Sequence, residues 1–97
     1  MNGYDIDGVL TKKVKPEKPY VVISGRTIDE WDKTIKQIGT DTPIYLRPYG
    51  KFGDVILAGI WKAEMITRFK IDKFYEDDKR QAEIISKYCP WCEIIII

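Results

Sequence analysis

Two aspartates stand two positions apart near the start of the chain, in Asp5-Ile6-Asp7, directly before Gly8. A carboxylate can attack phosphorus to form an aspartyl-phosphate, which divides one hydrolysis into two easier steps, and Asp5 fits that role. Asp7 would protonate the departing alkoxide and later accept a proton from water, provided that its neighbours raise its pKa toward working pH. Taken alone, the pair is equally compatible with a chance pair of surface carboxylates.

A second acidic pair, Asp77-Asp78, follows a later strand-like segment. Carboxylate oxygens are the ligands that Mg²⁺ prefers, so Asp77 and Asp78 would bind a magnesium ion, which would also offset the repulsion between the acidic cluster and a phosphate dianion. The alternative is a solvated turn whose acidic residues favour the N-terminus of the next helix. Lys62 would neutralise a phosphate and the Asp5 anion, or would be one of many lysines that face solvent.

A possible anion-binding corner follows the second strand-like segment. Ser24 and the backbone amides of Gly25 and Arg26 would bind a phosphoryl group at the start of a helix, although a serine there is equally well explained as a helix cap.

The composition narrows the chemistry. The chain has 97 residues and no histidine, which excludes Ser-His-Asp and Cys-His catalysis and every histidine-containing metal site. This length, with 44% apolar and 32% charged residues, predicts one globular domain spanning residues 1–97. We expect neither a membrane span nor a signal peptide, and we interpret the protein as cytoplasmic.

The lysine-rich segment and the two cysteines each allow two interpretations. A polar segment that is predicted to be a loop or flap contains four lysines, Lys12, Lys13, Lys15 and Lys18. They would either contact the phosphate backbone of a nucleic acid or only favour solubility. Cys89 and Cys92 have the C-x-x-C spacing of redox proteins. They follow a predicted helix rather than start one, which favours a turn with half-buried thiols over a catalytic pair.

Strand-like and helix-like segments alternate along the chain. Strands are predicted over residues 1–4, 20–23, 43–46, 72–76 and 93–97. Helices are predicted from a capping box at Thr27 and Glu30 to Gly39, around Trp61 to Phe69, and over residues 79–88. The alternation predicts an α/β fold, a three-layer Rossmann-like sandwich with a mostly parallel central sheet of about five strands. Polar residues after each strand would meet at one edge of that sheet.

Four short motifs appear in a characteristic order: YDIDGVLT, VISGR, the lysine of WKAEMI, and FYEDD. Together they resemble the haloacid dehalogenase-like (HAD) hydrolase superfamily over residues 4–78. The resemblance implies that Asp5 is the nucleophile and Asp7 the general acid/base. It also implies that Ser24 holds the phosphoryl group and that Lys62 stabilises it. In the metal site that the resemblance implies, Asp77 is the principal Mg²⁺ ligand, supported by Asp78, and Asp5 and the backbone carbonyl of Asp7 also contact the metal.

The stretch from Leu46 through Arg47 to Asp54 partly resembles polynucleotide-kinase-type 3′-phosphatase domains, in which an arginine at the position of Arg47 contacts the phosphate. The short spacing between the second and third motifs leaves no room for an inserted cap domain. An open site suits a large substrate such as a nucleic-acid end or a phosphoprotein. We expect a capless Mg²⁺-dependent phosphomonoesterase, and the favoured substrate is a nucleotide or a nucleic-acid end phosphate. The alternative is a non-catalytic or very slow binding or regulatory module with the same fold.

Overall fold

A five-stranded sheet forms the centre of the protein in a computed structural model that describes residues 1–39 and 43–97. The strands are β1 (Asn2–Tyr4), β2 (Tyr20–Thr27), β3 (Ile44–Arg47), β4 (Lys73–Glu76) and β5 (Glu93–Ile96). Their order in the sheet is β3-β2-β1-β4-β5, and every neighbouring pair is parallel. The predicted α/β fold with a sheet of five strands is therefore confirmed, with a sheet that is parallel throughout.

Helices cover both faces of the sheet. They are α1 (Trp31–Ile38), α2 (Val55–Phe69) and α3 (Lys79–Tyr88). A 3₁₀ turn at Ile28–Glu30 leads into α1, and another at Leu10–Lys12 lies between β1 and β2. One apolar cluster joins α2 and α3 to the sheet through Ile66, Ile85 and Phe74. The second joins Ile35 and Ile38 of α1 to the opposite face. The alternating sides of β2 explain this division, because Val21 and Ile23 enter the first cluster and Val22 enters the second.

The end of β2 differs from the prediction. Instead of turning a corner at Ser24, the strand continues to Thr27, with a shift of register against β3 between these two residues. The capping box does not form, since the Thr27 hydroxyl bonds the carboxylate of Asp29 and a 3₁₀ turn comes before α1. Arg26 therefore extends from an irregular strand end rather than from a helix start.

Several apolar side chains near the ends of the helices are exposed. Ile28 and Trp31 are exposed at the start of the α1 region, and Tyr88 is exposed at the end of α3. On α1 the fully buried side chain is Thr34, whose hydroxyl accepts a hydrogen bond from Arg26. A polar contact therefore contributes to the packing of α1 on the sheet beside its apolar side chains.

The strand order creates a switch point between β1 and β4. The chain runs from β1 outward to β2 and β3, and then returns to place β4 on the other side of β1. The backbone N–H of Asp5 donates to the carbonyl of Tyr75 at 3.1 Å, which holds the carboxyl ends of the two strands side by side. In open parallel sheets this crevice is where ligands bind. None of the helices in the described residues is long and apolar enough to cross a membrane.

We expect Gly25→Ala to destabilise the fold, because a Cβ at this position would lie 2.6 Å from the Cβ of Ala58 on α2. Overpacking of this kind costs about 1–3 kcal/mol, which denaturant unfolding monitored by tryptophan fluorescence would measure. Ala58→Gly alone should cost about 1 kcal/mol through helix propensity, yet should restore part of the stability of Gly25→Ala. Additive losses in the double variant would contradict a direct clash.

Candidate active site

A cavity of about 460 Å³ opens at the carboxyl ends of the strands. Eight of the nine predicted site residues line it: Asp5, Asp7, Gly25, Arg26, Arg47, Lys62, Asp77 and Asp78. The ninth, Ser24, is fully buried, and its hydroxyl oxygen accepts a hydrogen bond from the backbone N–H of Arg26. The fold thus collects residues that lie more than 70 positions apart in the chain.

A buried ion cluster occupies the inner wall of this cavity. The Lys62 Nζ lies 2.6 Å from Glu76 Oε1 and 3.3 Å from Asp5 Oδ2, and it also donates to Gln81 Oε1 at 2.6 Å. Lys62, Asp5 and Glu76 are each at most 5% exposed. Lys62 is placed on the buried side of α2, so the interpretation of it as a solvent-facing lysine is wrong. Its amine faces the predicted nucleophile.

Burial and charge shift the protonation of this cluster. Burial raises the pKa of Glu76 to about 8, and the neighbouring Asp5 carboxylate adds to the shift, whereas Lys62 opposes it. Burial acts to lower the pKa of Lys62, but the Asp5 and Glu76 carboxylates outweigh it, and the net shift is upward. Two carboxylates therefore compete for one buried cation.

The acidic group that could hold a metal differs from the predicted one. Among the described residues, single carboxylate oxygens of Asp5, Glu76 and Asp77 lie within 4.8 Å of one another. Sequence reasoning missed Glu76. The signal was present, because Glu76 shares the strand face of Phe74 and therefore points to the side where the helix with Lys62 packs.

Asp7 and Asp78 have other partners. The Asp7 carboxylate accepts two hydrogen bonds from Arg26, from Nε at 3.0 Å and from Nη2 at 2.8 Å. Asp78 caps α3 by accepting from the backbone N–H groups of Arg80 and Gln81. The side chains of Asp7 and Asp78 thus lie outside the carboxylate cluster, and for Asp78 the helix-cap alternative describes the contacts. The contact of the Asp7 backbone carbonyl with a metal, which the resemblance implies, stays a prediction.

The pairing with Arg26 also lowers the pKa of Asp7. The hydrogen bonds from Arg26 hold the pKa of the Asp7 carboxyl below its usual range. The proton-donor role required the opposite shift, so this expectation is not met while the two side chains are paired. Arg26 is nearly buried, and its Nη1 is engaged with Thr34 at 3.1 Å.

Gly8 explains how Asp77 approaches the cluster. Gly8 has a positive φ of 78°, and a Cβ on it would lie 1.8 Å from Asp77 Oδ2. Only a residue without a side chain leaves space for this carboxylate beside Asp5. The glycine after the two aspartates is therefore part of the site.

Arg47 is positioned by its own loop. It is fully buried, and its guanidinium donates to the carbonyl oxygens of Gly25, Tyr49 and Lys51 at 3.1, 2.7 and 2.8 Å. These bonds join the loop after β3 to the end of β2. The contact of Arg47 with a phosphate, which the resemblance implies, stays a prediction.

The lysine-rich segment does not line the cavity. Lys12, Lys13, Lys15 and Lys18 are all exposed, but none of them is among the cavity residues. The segment packs back against β1, where the backbone N–H of Glu17 donates to the hydroxyl of Tyr4 at 3.0 Å. Lys18 lies near the amino end of β2, the edge of the sheet opposite the cavity. As described, the segment is not a flap over the site.

The two cysteines are buried free thiols. The Sγ of Cys89 donates to the carbonyl of Ala63 at 3.4 Å, and burial raises the pKa of Cys92 to about 11. A redox thiol needs an accessible thiolate, so these surroundings favour the structural turn. They are more deeply buried than the predicted half-buried thiols.

Comparison of the chain with models of protein families, with curated proteins and with solved structures gives no significant match. The functional argument therefore depends on the residues and the geometry of this cavity.

The predicted Mg²⁺ site can be tested with Gly8→Ala, which should weaken Mg²⁺ binding about 10-fold or more, because the new methyl group would displace Asp77 from the carboxylate cluster. Isothermal titration calorimetry would measure the affinity. Gly39→Ala is the matched control, since Gly39 has a similar φ of 84° but no described atom lies within 4 Å of an added Cβ. Equal losses in both variants would attribute the effect to backbone strain rather than to Asp77.

The raised pKa of Glu76 predicts a pH-dependent stability in metal-free protein. Between its ordinary value of 4.5 and about 8, the folded protein keeps a proton that the unfolded chain has released. This contribution to stability is complete below pH 4.5 and is lost as the pH rises through about 8. Between pH 4.5 and about 8, the free energy of unfolding should therefore fall more steeply with rising pH in the wild type than in Glu76→Gln. Parallel pH profiles in denaturant titrations with chelator present would show that Glu76 ionises normally.

Proposed function

We propose that the chain is a Mg²⁺-dependent phosphomonoesterase that acts through an aspartyl-phosphate on Asp5. The observation that carries the proposal is the position of Asp5, whose carboxylate lies in the switch-point cavity 3.3 Å from the buried ammonium of Lys62. The order of motifs that resembles the HAD hydrolases supports the same assignment. A nearby cation is needed where a carboxylate approaches a phosphate dianion, because the two anions repel each other.

The charge of the cavity supports a divalent cation. Among its described lining residues are five aspartates and three cationic side chains, and the buried Glu76 lies directly behind them. A phosphate dianion would enter against an excess of negative charge. The oxygens of Asp5, Glu76 and Asp77 fit the hard-ligand preference of Mg²⁺ and would hold the ion. When bound, it would offset the repulsion and polarise the phosphoryl oxygens.

The proposed reaction has two steps. An Asp5 oxygen bonds to phosphorus, the bond from phosphorus to the ester oxygen breaks, and the alkoxide takes a proton to leave as an alcohol. Water then attacks the aspartyl-phosphate, releases inorganic phosphate and regenerates Asp5. Asp7 is the proposed proton carrier in both steps, and for this role Arg26 must release it. The substrate phosphate is a suitable alternative partner for the guanidinium.

The substrate proposed from sequence is a nucleotide or a nucleic-acid end. The open cavity supports it, since no inserted domain lies over the site in residues 1–39 and 43–97. Selectivity must then come from the residues around the mouth of the cavity. Contact of the four exposed lysines with a nucleic-acid backbone would extend beyond the cavity, because none of them lines it.

A non-catalytic or very slow binding module is the second candidate. The pairing of Asp7 with Arg26 favours it, because an ionised, doubly hydrogen-bonded carboxylate is a poor proton donor. Such a module would bind Mg²⁺ and a phosphorylated ligand without turnover. Intact Asp5 and Lys62 in direct contact favour the enzyme.

Asp5→Asn tests the proposal with hydrolysis of p-nitrophenyl phosphate, with and without Mg²⁺. We expect metal-dependent release of p-nitrophenol by the wild type and a loss of at least about 10³-fold in kcat in the variant, since an amide does not act as the nucleophile. Asp72→Asn is the control, because Asp72 is exposed and far from the cavity. Metal binding without turnover of aryl, nucleoside and sugar phosphates would support the binding module instead.

A further inference from the structure

The loop between β3 and α2, residues 48–53, places an aromatic side chain at the mouth of the cavity. Phe52 lines the cavity and is nevertheless 74% exposed. It is the one aromatic residue among the described residues that line the cavity. A phenyl ring that is so exposed contributes little to the apolar core, so its position is not explained by folding.

The loop is anchored although Phe52 is not buried. The Arg47 guanidinium donates to the carbonyls of Tyr49 and Lys51, two residues of the loop. Gly50 lies so close to this guanidinium that a Cβ would come within 2.4 Å of Arg47 Nη1. A buried charge thus fixes the backbone that leads to Phe52.

A second anchor acts through Tyr49. Its ring packs edge-on against Trp61 of α2, with the ring centroids 6.1 Å apart, and its hydroxyl donates to Glu64 at 3.1 Å. At the other end of the loop, Asp54 caps α2 by accepting from the backbone N–H of Leu57. The ring of Phe52 is therefore presented from a backbone held on both sides, which lowers the entropic cost of binding against it.

The polar inner wall and the aromatic rim suit different parts of one substrate. A phosphoryl group at Asp5 leaves its ester group pointing outward, since the inner wall is occupied by the ion cluster of Lys62. We infer that Phe52 is a specificity residue that stacks on a planar aromatic group of the substrate's leaving group. A nucleobase within one nucleotide of the phosphate has this chemistry. This inference rests on the proposed phosphomonoesterase and assigns its substrate class, a nucleoside monophosphate or a terminal nucleotide.

The test compares Phe52→Ala with the wild type on thymidine monophosphate and glycerol phosphate. Base–aromatic stacking predicts that the KM for thymidine monophosphate rises about 5-fold or more in the variant, with kcat and the constants for glycerol phosphate nearly unchanged. Phe52→Trp should retain the wild-type KM, since it keeps an aromatic face. Ile56→Ala is the matched control, because Ile56 is an exposed apolar residue on the first turn of α2 that does not line the cavity.

A binding experiment tests this inference separately from the proposed function. Calorimetry on Asp5→Asn with and without Phe52→Ala, in the presence of Mg²⁺, measures the affinity for both phosphates independently of turnover. Weaker binding of thymidine monophosphate alone supports stacking, even if the wild type hydrolyses neither compound. An equal loss for both phosphates would assign Phe52 to loop geometry, and no loss for either would overturn the inference. Absence of hydrolysis with selective binding would reject the phosphatase and keep the nucleotide site.

Discussion

The ammonium group of Lys62, on α2, is enclosed by Asp5, Glu76 and Gln81. Asp5 directly follows β1, whereas Glu76 belongs to β4 and Gln81 to α3. A buried charge without partners costs several kcal/mol, so the fold has to bring these four elements together. The close packing of α2 on Gly25 and the pairing of β1 with β4 provide that geometry. The core and the candidate site are consequently a single structure, and the position of Asp5, the proposed nucleophile, depends on the same contacts as stability.

Two other buried cations have different partners, and their partners indicate their roles. Arg47 donates to three backbone carbonyls, which are neutral and belong to the protein's own loop, so its charge supports architecture. Arg26 donates to the Asp7 carboxylate at the cavity wall, where a phosphate can compete for the same guanidinium. Lys62 contacts the carboxylate proposed to react. Of the three buried cations, Arg47 therefore supports the loop, Arg26 could bind a phosphate in place of Asp7, and Lys62 contacts the proposed nucleophile.

Because no inserted domain covers the cavity in the described residues, the proposed enzyme would select its substrate through the residues at the mouth of the cavity. The residues around the proposed phosphate site are charged and would recognise features that all phosphate esters share. Discrimination between esters then requires contacts with the leaving group, and the anchored loop with Phe52 is placed for them. In this arrangement the buried Arg47 connects the sheet to the loop that carries Phe52.

The sequence by itself determined the alternation of strands and helices, because periodicity and β-branched content are local properties. It also predicted that Asp5 and Asp77 meet, because polar residues after parallel strands share one edge of the sheet, whereas the place of Lys62 beside them was implied only by the family resemblance. Only the tertiary structure decided that Glu76 joins them while Asp78 caps a helix, that Arg26 binds Asp7, and that Arg47 holds its own loop. The reason is physical: each buried charge takes the partner that the packing of distant segments brings within hydrogen-bond distance, and that distance is not a local property of the chain.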